Sequence, residues 1–215
     1  MNKTISVTGK GKLCVKPDLV RLTLILSGVK ESYADAVSDS AEKTATLAQA
    51  IEAQDFARAD LKTTSFNVDT KYERYHDENG NYHQRLAGYE FVHHMYLELP
   101  IDNELLSATL YAISQCDCNP EISMTYTVKD TKAARDELLA SAVSDAKHSA
   151  KIIAKAAKVE LRDIVSINYS FSDVRIVSDF TARCFAGEAD CAPNFDLQPD
   201  DIELSDNVTV IWSIA

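Results

Sequence analysis

From Asp18 to Val29 every second residue is apolar: Val20, Leu22, Leu24 and Leu26 alternate with Arg21, Thr23 and Ser27. Strand geometry sends successive side chains to opposite faces, so this segment must bury one face of a sheet and leave the other wet. That face needs cover. The next segment supplies it, because Ala34, Val37, Ala41, Ala45, Ala48 and Ile51 recur at three- and four-residue steps across 32–54. Such spacing draws one apolar stripe along a helix. A strand with one buried side followed by an amphipathic helix points to helices laid on antiparallel sheet, an α+β fold class.

The rest of the chain repeats this grammar. Strands are expected over 3–8 and 12–15, either side of Gly9-Lys10-Gly11, and again over 61–75 and 82–99, with Asp77-Glu78-Asn79-Gly80 as a turn between the latter two. A short helix over 102–116, a strand over 121–128 and a long Ala-rich helix over 131–158 follow, the last opened by Asp130 as N-cap. Strands are expected over 163–172 and 205–214, with an acidic loop of contact or mobile character over 174–203 between them. The chain therefore reads as one domain over 1–215. Ala36-Val37-Ser38-Asp39 recurs as Ala142-Val143-Ser144-Asp145. This echo marks either two related β-α-β lobes or a coincidence that Ala-rich helices produce easily.

Gly9-Lys10-Gly11 looks at first like a phosphate loop. Phosphate loops set their glycines between a strand and a helix N-terminus, whereas here Leu13-Cys14-Val15 continues as strand. We expect a connector that turns one β-segment into the next and holds no anion. Nucleic acid is excluded as a partner on charge: 22 basic against 33 acidic residues leave −11, and no dense Lys/Arg cluster stands out. No apolar run reaches the ~20 residues that span a bilayer. With no leader visible at the start, the expected compartment is the cytoplasm, or the periplasm or exterior if an export leader has been removed.

Cys116-Asp117-Cys118 is a single tight pair, short of the paired spacing of a zinc site. Cys184 and Cys191 could close a small loop, but five cysteines and no leader favour free thiols. The sharper metal candidate is the hairpin. A two-residue turn at Asn79-Gly80 faces Glu78 with Asn81 and brings His76 opposite His83, so that Glu78, His76 and His83 share a face. Two imidazoles and a carboxylate suit a zinc or copper half-site. The same register sets Arg74 opposite Arg85, which opposes a cation, and a solvated polar hairpin is the preferred reading. Its tyrosines, Tyr72, Tyr75 and Tyr82, are expected to pack on a neighbour or a partner subunit. His93 and His94 point to opposite faces, and His148 lies among Lys147 and Lys151. No serine or cysteine has a readable base beside it, so no catalytic residue and no cofactor is expected.

Ile5-Ser6-Val7-Thr8-Gly9-Lys10-Gly11, then Val15-Lys16-Pro17-Asp18, Gly88-Tyr89, the helix from Ala142 to Ala154 and the late Val208-Thr209-Val210 together resemble the SIMPL-domain family, a bacterial group that includes the YggE-type proteins. Relatives often carry glycines after the long helix, where this chain has Lys158 and Arg162, and Pro-Gly where Pro199-Asp200 stands. The resemblance implies an α+β fold, a tendency to form homo-oligomers and a link to oxidative-stress response, with no established catalytic residues. The leading reading is a non-enzymatic, self-associating structural or interaction protein, to which the alanines of the long helix lend support by allowing close approach of another chain. A metal- or small-ligand-binding module using the 72–85 hairpin is the alternative, and an enzyme comes third.

Overall fold

A computed structural model describes residues 3–76, 81–170, 174–178 and 198–215, and the backbone of 182–185. The elements run β1 (Thr4–Val15), β2 (Leu19–Lys30), α1 (Tyr33–Glu52), β3 (Lys62–His76), β4 (Tyr82–Pro100), α2 (Asn103–Ser114), β5 (Glu121–Thr127), α3 (Thr131–Ala157), β6 (Leu161–Asn168), β7 (Ala182–Phe185) and β8 (Ile202–Ile214). The fold is α+β, with every recorded strand pairing antiparallel. One sheet has the order β1-β8-β6, the other β3-β4-β2-β5-β7. The chain divides into two compact units, residues 1–18, 126–179 and 199–215 in one, 19–125 and 180–198 in the other.

Local chemistry explains the helix starts. Ser32 Oγ accepts the Asp35 amide at α1, Asp102 accepts the Glu104 and Leu105 amides at α2, and Asp130 accepts the Ala133 amide at α3. Burial in β2 follows the alternation read from sequence, with Val20, Leu22, Leu24 and Leu26 buried, but α1 corrects the expected stripe: Ala34, Val37 and Ala41 are exposed, and Ala36, Ser40, Leu47, Ala48 and Ile51 are buried instead. The two units share one four-element motif, to which the 19–125 and 180–198 unit adds α2, β5 and β7. In each, a strand is followed in the unit by a helix and two strands, and the last strand sits between the other two: β2, α1, β3, β4 in order β3-β4-β2, and β1, α3, β6, β8 in order β6-β8-β1. Ala36 and Ala142, the matching alanines of the sequence echo, are both fully buried under these helices. The repeating unit is thus strand-helix-strand-strand, one strand more than the sequence suggested.

The glycine pair corrects the expected connector. β1 runs unbroken from Thr4 to Val15, and Gly9 and Gly11 pair in register with Val208 and Asp206. A Cβ on Gly9 would lie 2.2 Å from the Ala142 carbonyl oxygen, and one on Gly11 2.4 Å from that of Leu138. The glycines let the backbone of α3 rest directly on β1. The alanines of α3 answer them from the other side: Ala142, Ala146 and Ala150 pack with Val7, Val208, Val210 and Trp212. Asp145 then ties the helix down, accepting the Lys10 amide at 2.9 Å. The alanine stripe is occupied inside its own unit, which removes it as support for contact with another chain.

The 174–203 stretch holds more structure than a loop. β7 pairs with β5, Val177 bridges Thr127, and Ile176 is buried among Val128, Leu138 and Leu204. Gly187, Pro193 and Cys191 lie outside the described residues, as do Asp77 to Gly80. Cys116 and Cys118, the tight pair read as short of a zinc site, form a disulfide with Cα atoms 5.4 Å apart, while Cys14 is free and exposed. Lys158 stands in the left-handed conformation at φ 55°, closing α3 in the geometry that glycine adopts without strain.

Candidate functional site

The 71–88 hairpin carries the residues singled out from sequence. Its register pairs His76 with Tyr82 and Tyr75 with His83, one step away from the pairing a two-residue turn would set. A one-residue slip in register moves a side chain to the opposite face. His76 therefore sits edge-on to Tyr82 on one face, and His83 stacks on Tyr75 on the other, with ring centroids 5.3 and 5.5 Å apart. The structure does not bring His76 and His83 together, and Glu78 lies outside the described residues. Arg85 pairs with Glu73 rather than facing Arg74. Among the described residues no group of three or more His, Cys, Asp or Glu is placed to hold a metal ion.

What the register builds instead is an aromatic face. Tyr72 opposite Leu86, Arg74 opposite Gln84 and His76 opposite Tyr82 alternate onto one side of the ribbon. The last pair between β2 and β4 is Lys30 with Tyr89. Beyond it, among the described residues, β3 and β4 pair only with each other. Tyr72, Tyr75, Tyr82 and Leu86 are all about half exposed, at 46–57%. Lys71, Arg74 and Arg85 on this arm are matched in sequence by Glu73, Asp77 and Glu78. At its root Gly88 takes φ 142°, where a Cβ would meet the Lys30 carbonyl oxygen at 2.3 Å, and the ladder slips at Lys71/Tyr72.

Nearer the sheet, His93 bridges α1 and β3. Its Nδ1 lies 3.1 Å from Thr44 Oγ1 and its Nε2 2.9 Å from Thr63 Oγ1. Thr44 already donates to the Ser40 carbonyl, so its oxygen is left to accept from Nδ1–H, and Nε2 accepts from Thr63. Burial, and then the neighbouring charge of His94, hold this imidazole below the ordinary histidine range. On α1, burial raises the Asp39 carboxyl, but Lys30 and Lys43 at 3.1 and 3.3 Å overcome it and hold the group below the usual carboxylate range.

A cleft of about 390 Å³ opens in the other unit, lined by Arg135, Leu138, Leu139, Tyr169, Val174 and Asp206 among others. Asp206 occupies the apolar row of β8, between Leu204 and Val208, and is only 8% exposed. Its carboxylate accepts from the Tyr169 hydroxyl at 2.9 Å and from the Asn207 amide at 2.7 Å. The hydrogen bond to Asp206, with burial behind it, holds the Tyr169 phenol above the usual tyrosine range, so at neutral pH it serves as a donor. Arg135 reaches across the cleft to the Val174 carbonyl oxygen at 3.2 Å. Sequence reasoning passed over Asp206. The signal was present, since it is the one charged residue in phase with Ile202, Leu204, Val208, Val210 and Trp212.

Comparison with known families matches residues 5–212 to SIMPL, described as a protein of unknown function (DUF541). The chain belongs to the SIMPL family. No curated protein matches it. The paired strand-helix-strand-strand units, the glycine-alanine seam and the projecting hairpin thus describe this SIMPL chain, and no helix among its described residues is long and apolar enough to cross a membrane.

Proposed function

We propose that this SIMPL chain is a non-enzymatic interaction protein that self-associates through its hairpin arm. The supporting observation is that β3 and β4 outrun every other strand. A two-stranded ribbon alone is marginal in water and holds its shape only with a further strand or a packed face. Here the uncovered face presents Tyr72, Tyr82 and Leu86 together. A second copy of the arm can act as the cover: its charged residues balance, Lys71, Arg74 and Arg85 against Glu73, Asp77 and Glu78, so no net repulsion opposes two arms meeting. Aromatic contact supplies the apolar area.

Sedimentation over a range of concentrations tests this. Wild type is expected to sediment as an oligomer, and a Tyr72→Ser/Tyr82→Ser/Leu86→Ser variant as a monomer with an unchanged unfolding transition. A wild-type protein that stays monomeric at the highest concentrations refutes the proposal. The role in oxidative-stress tolerance implied by the resemblance has its own test: peroxide survival of a deletion strain complemented by wild type or by this variant.

A further inference from the structure

A second surface lies in the unit that holds α3. Among the described residues β6 ends its sheet, bonded to β8 on one side only. Native sheets blunt such edges with lysine, proline or a covering loop, yet Ile164, Val165 and Ile167 stand 54%, 58% and 52% exposed with no charge or proline among residues 164–168. Ile164 pairs with Trp212 and Ile167 with Val210, so both belong to the sheet face on which α3 lies. The helix covers that face over β1 and β8 and leaves it open at β6.

The flank of α3 beside this opening can be identified from its contacts. Ser141 and Asp145 bond to Lys12 and Lys10 of β1, so their row faces β1. Arg135 and Leu139, on the opposite flank, line the cleft with Tyr169, which follows β6. Four-residue steps continue that row through Val143 to Lys147, Lys151 and Lys155. None of these three lysines has an ion pair among the described residues. Residues 146–159 hold four lysines and no carboxylate, on a chain with net charge −11. In sequence the stretch is bounded by Asp145, which accepts the Lys10 amide on the β1 flank, and by Glu160, paired with Arg162 at 3.6 Å.

We infer that the β6 edge takes an extended polypeptide segment of alternating apolar and acidic residues, added antiparallel or parallel as a fourth strand of the sheet. The open edge supplies backbone donors and acceptors, Ile164 and Ile167 supply apolar contact, and the lysine row selects the charge. A lipid surface would leave the edge amides and carbonyls unpaired. A second β6 related by a two-fold axis normal to the sheet would set two lysine rows on the same face against each other, and like charges oppose that pairing.

Fluorescence anisotropy with a labelled peptide of alternating valine and glutamate tests the inference on the full chain. Saturable binding is expected, about tenfold or more weaker in Lys147→Glu/Lys151→Glu/Lys155→Glu and in high salt. It is expected to vanish when alternate peptide amides are N-methylated, and amide exchange should slow in β6 on binding. Circular dichroism melting checks that the triple variant is folded, and a Lys→Gln triple variant should show an intermediate loss. No saturable binding, equal binding by the glutamate variant, or equal binding of the N-methylated peptide would overturn the inference. So would binding of phosphatidylglycerol vesicles without binding of the peptide, or a dimer joined through β6.

Discussion

Replacing Gly9 by alanine should be among the most damaging single-methyl changes available in this chain. The added Cβ would sit 2.2 Å from the Ala142 carbonyl oxygen, 2.3 Å from the Ala146 amide nitrogen and 2.7 Å from the Ala146 Cα. Comfortable contact needs about 3.5 Å, so α3 must retreat by roughly 1 Å. All three contacts are backbone, and no rotamer change relieves them. Overpacking of this kind costs about 1–3 kcal/mol. The retreat also stretches the Lys10 amide bond to Asp145, a charge-assisted bond worth about 1.5–3 kcal/mol. It lifts Ala142, Ala146 and Ala150 from Val7, Val208 and Trp212 as well. A loss of about 3–5 kcal/mol is expected, a large share of the ~5–15 kcal/mol that holds a domain. Urea unfolding followed by circular dichroism reads it as a lower midpoint with little change in slope. Two comparisons sharpen the test. Ala146→Gly should not rescue Gly9→Ala, because the clash is with the Ala146 main chain. Gly28→Ala meets the Phe91 ring and the Asp39 carboxylate, both side chains that can shift, and should cost about 1 kcal/mol. A Gly9→Ala protein within about 0.5 kcal/mol of wild type, inside ordinary surface variation, would refute the seam as a close backbone contact.

Lys158→Gly should stabilise the chain by about 1 kcal/mol by removing the left-handed strain at the end of α3, read in the same urea assay. His93 has a folded pKa below its unfolded value, so its contribution to stability is complete above about pH 6.5 and is lost as pH falls through the lowered value. His93→Gln should flatten that part of the stability profile, and NMR should show the ring protonating below the usual histidine range. The Tyr169 phenol is shifted the other way: its contribution is complete below about pH 10 and is lost as pH rises through the raised value. Ultraviolet titration should show late ionisation from Tyr169 and from the buried Tyr126, of which Asp206→Asn advances the Tyr169 component and Tyr169→Phe abolishes it.

The positions of strands and helices were largely legible, and the period-2 pattern of β2 reported burial directly, but in α1 the small alanines fit more than one stripe, and Ala34, Val37 and Ala41 proved exposed. Val20 to Leu26 and Asp130 are cases where local chemistry and the fold agree. The glycine pair misled because sequence shows that a glycine is present and not what approaches it. The cause, the main chain at Ala142 and Ala146, lies more than a hundred positions away. The hairpin failed for a different reason. A single step of register, in a ladder that shifts at Lys71/Tyr72, decides whether His76 and His83 meet. Asp206 was readable as a charge out of place in an apolar row, but its meaning needed Tyr169 from another strand's end. The echo between the two helices carried more than its residues did, because strand order, invisible in one sequence, repeats with it.

The interleaving of the two units bears on how the chain reaches its native state. Thr8 and Thr209 share a hydrogen bond across 201 positions, and the whole of residues 19–125 lies between β1 and the helix that will cover it. During synthesis residues 19–125 can begin to pack while β1 still waits for β8, with β7 joining them only after α3 has emerged. Closing so long a loop is slow, and an unmatched strand of twelve residues stays open to wrong partners until the last strand emerges. Chaperone dependence and slow refolding should therefore concentrate in the unit whose first and last strands are neighbours.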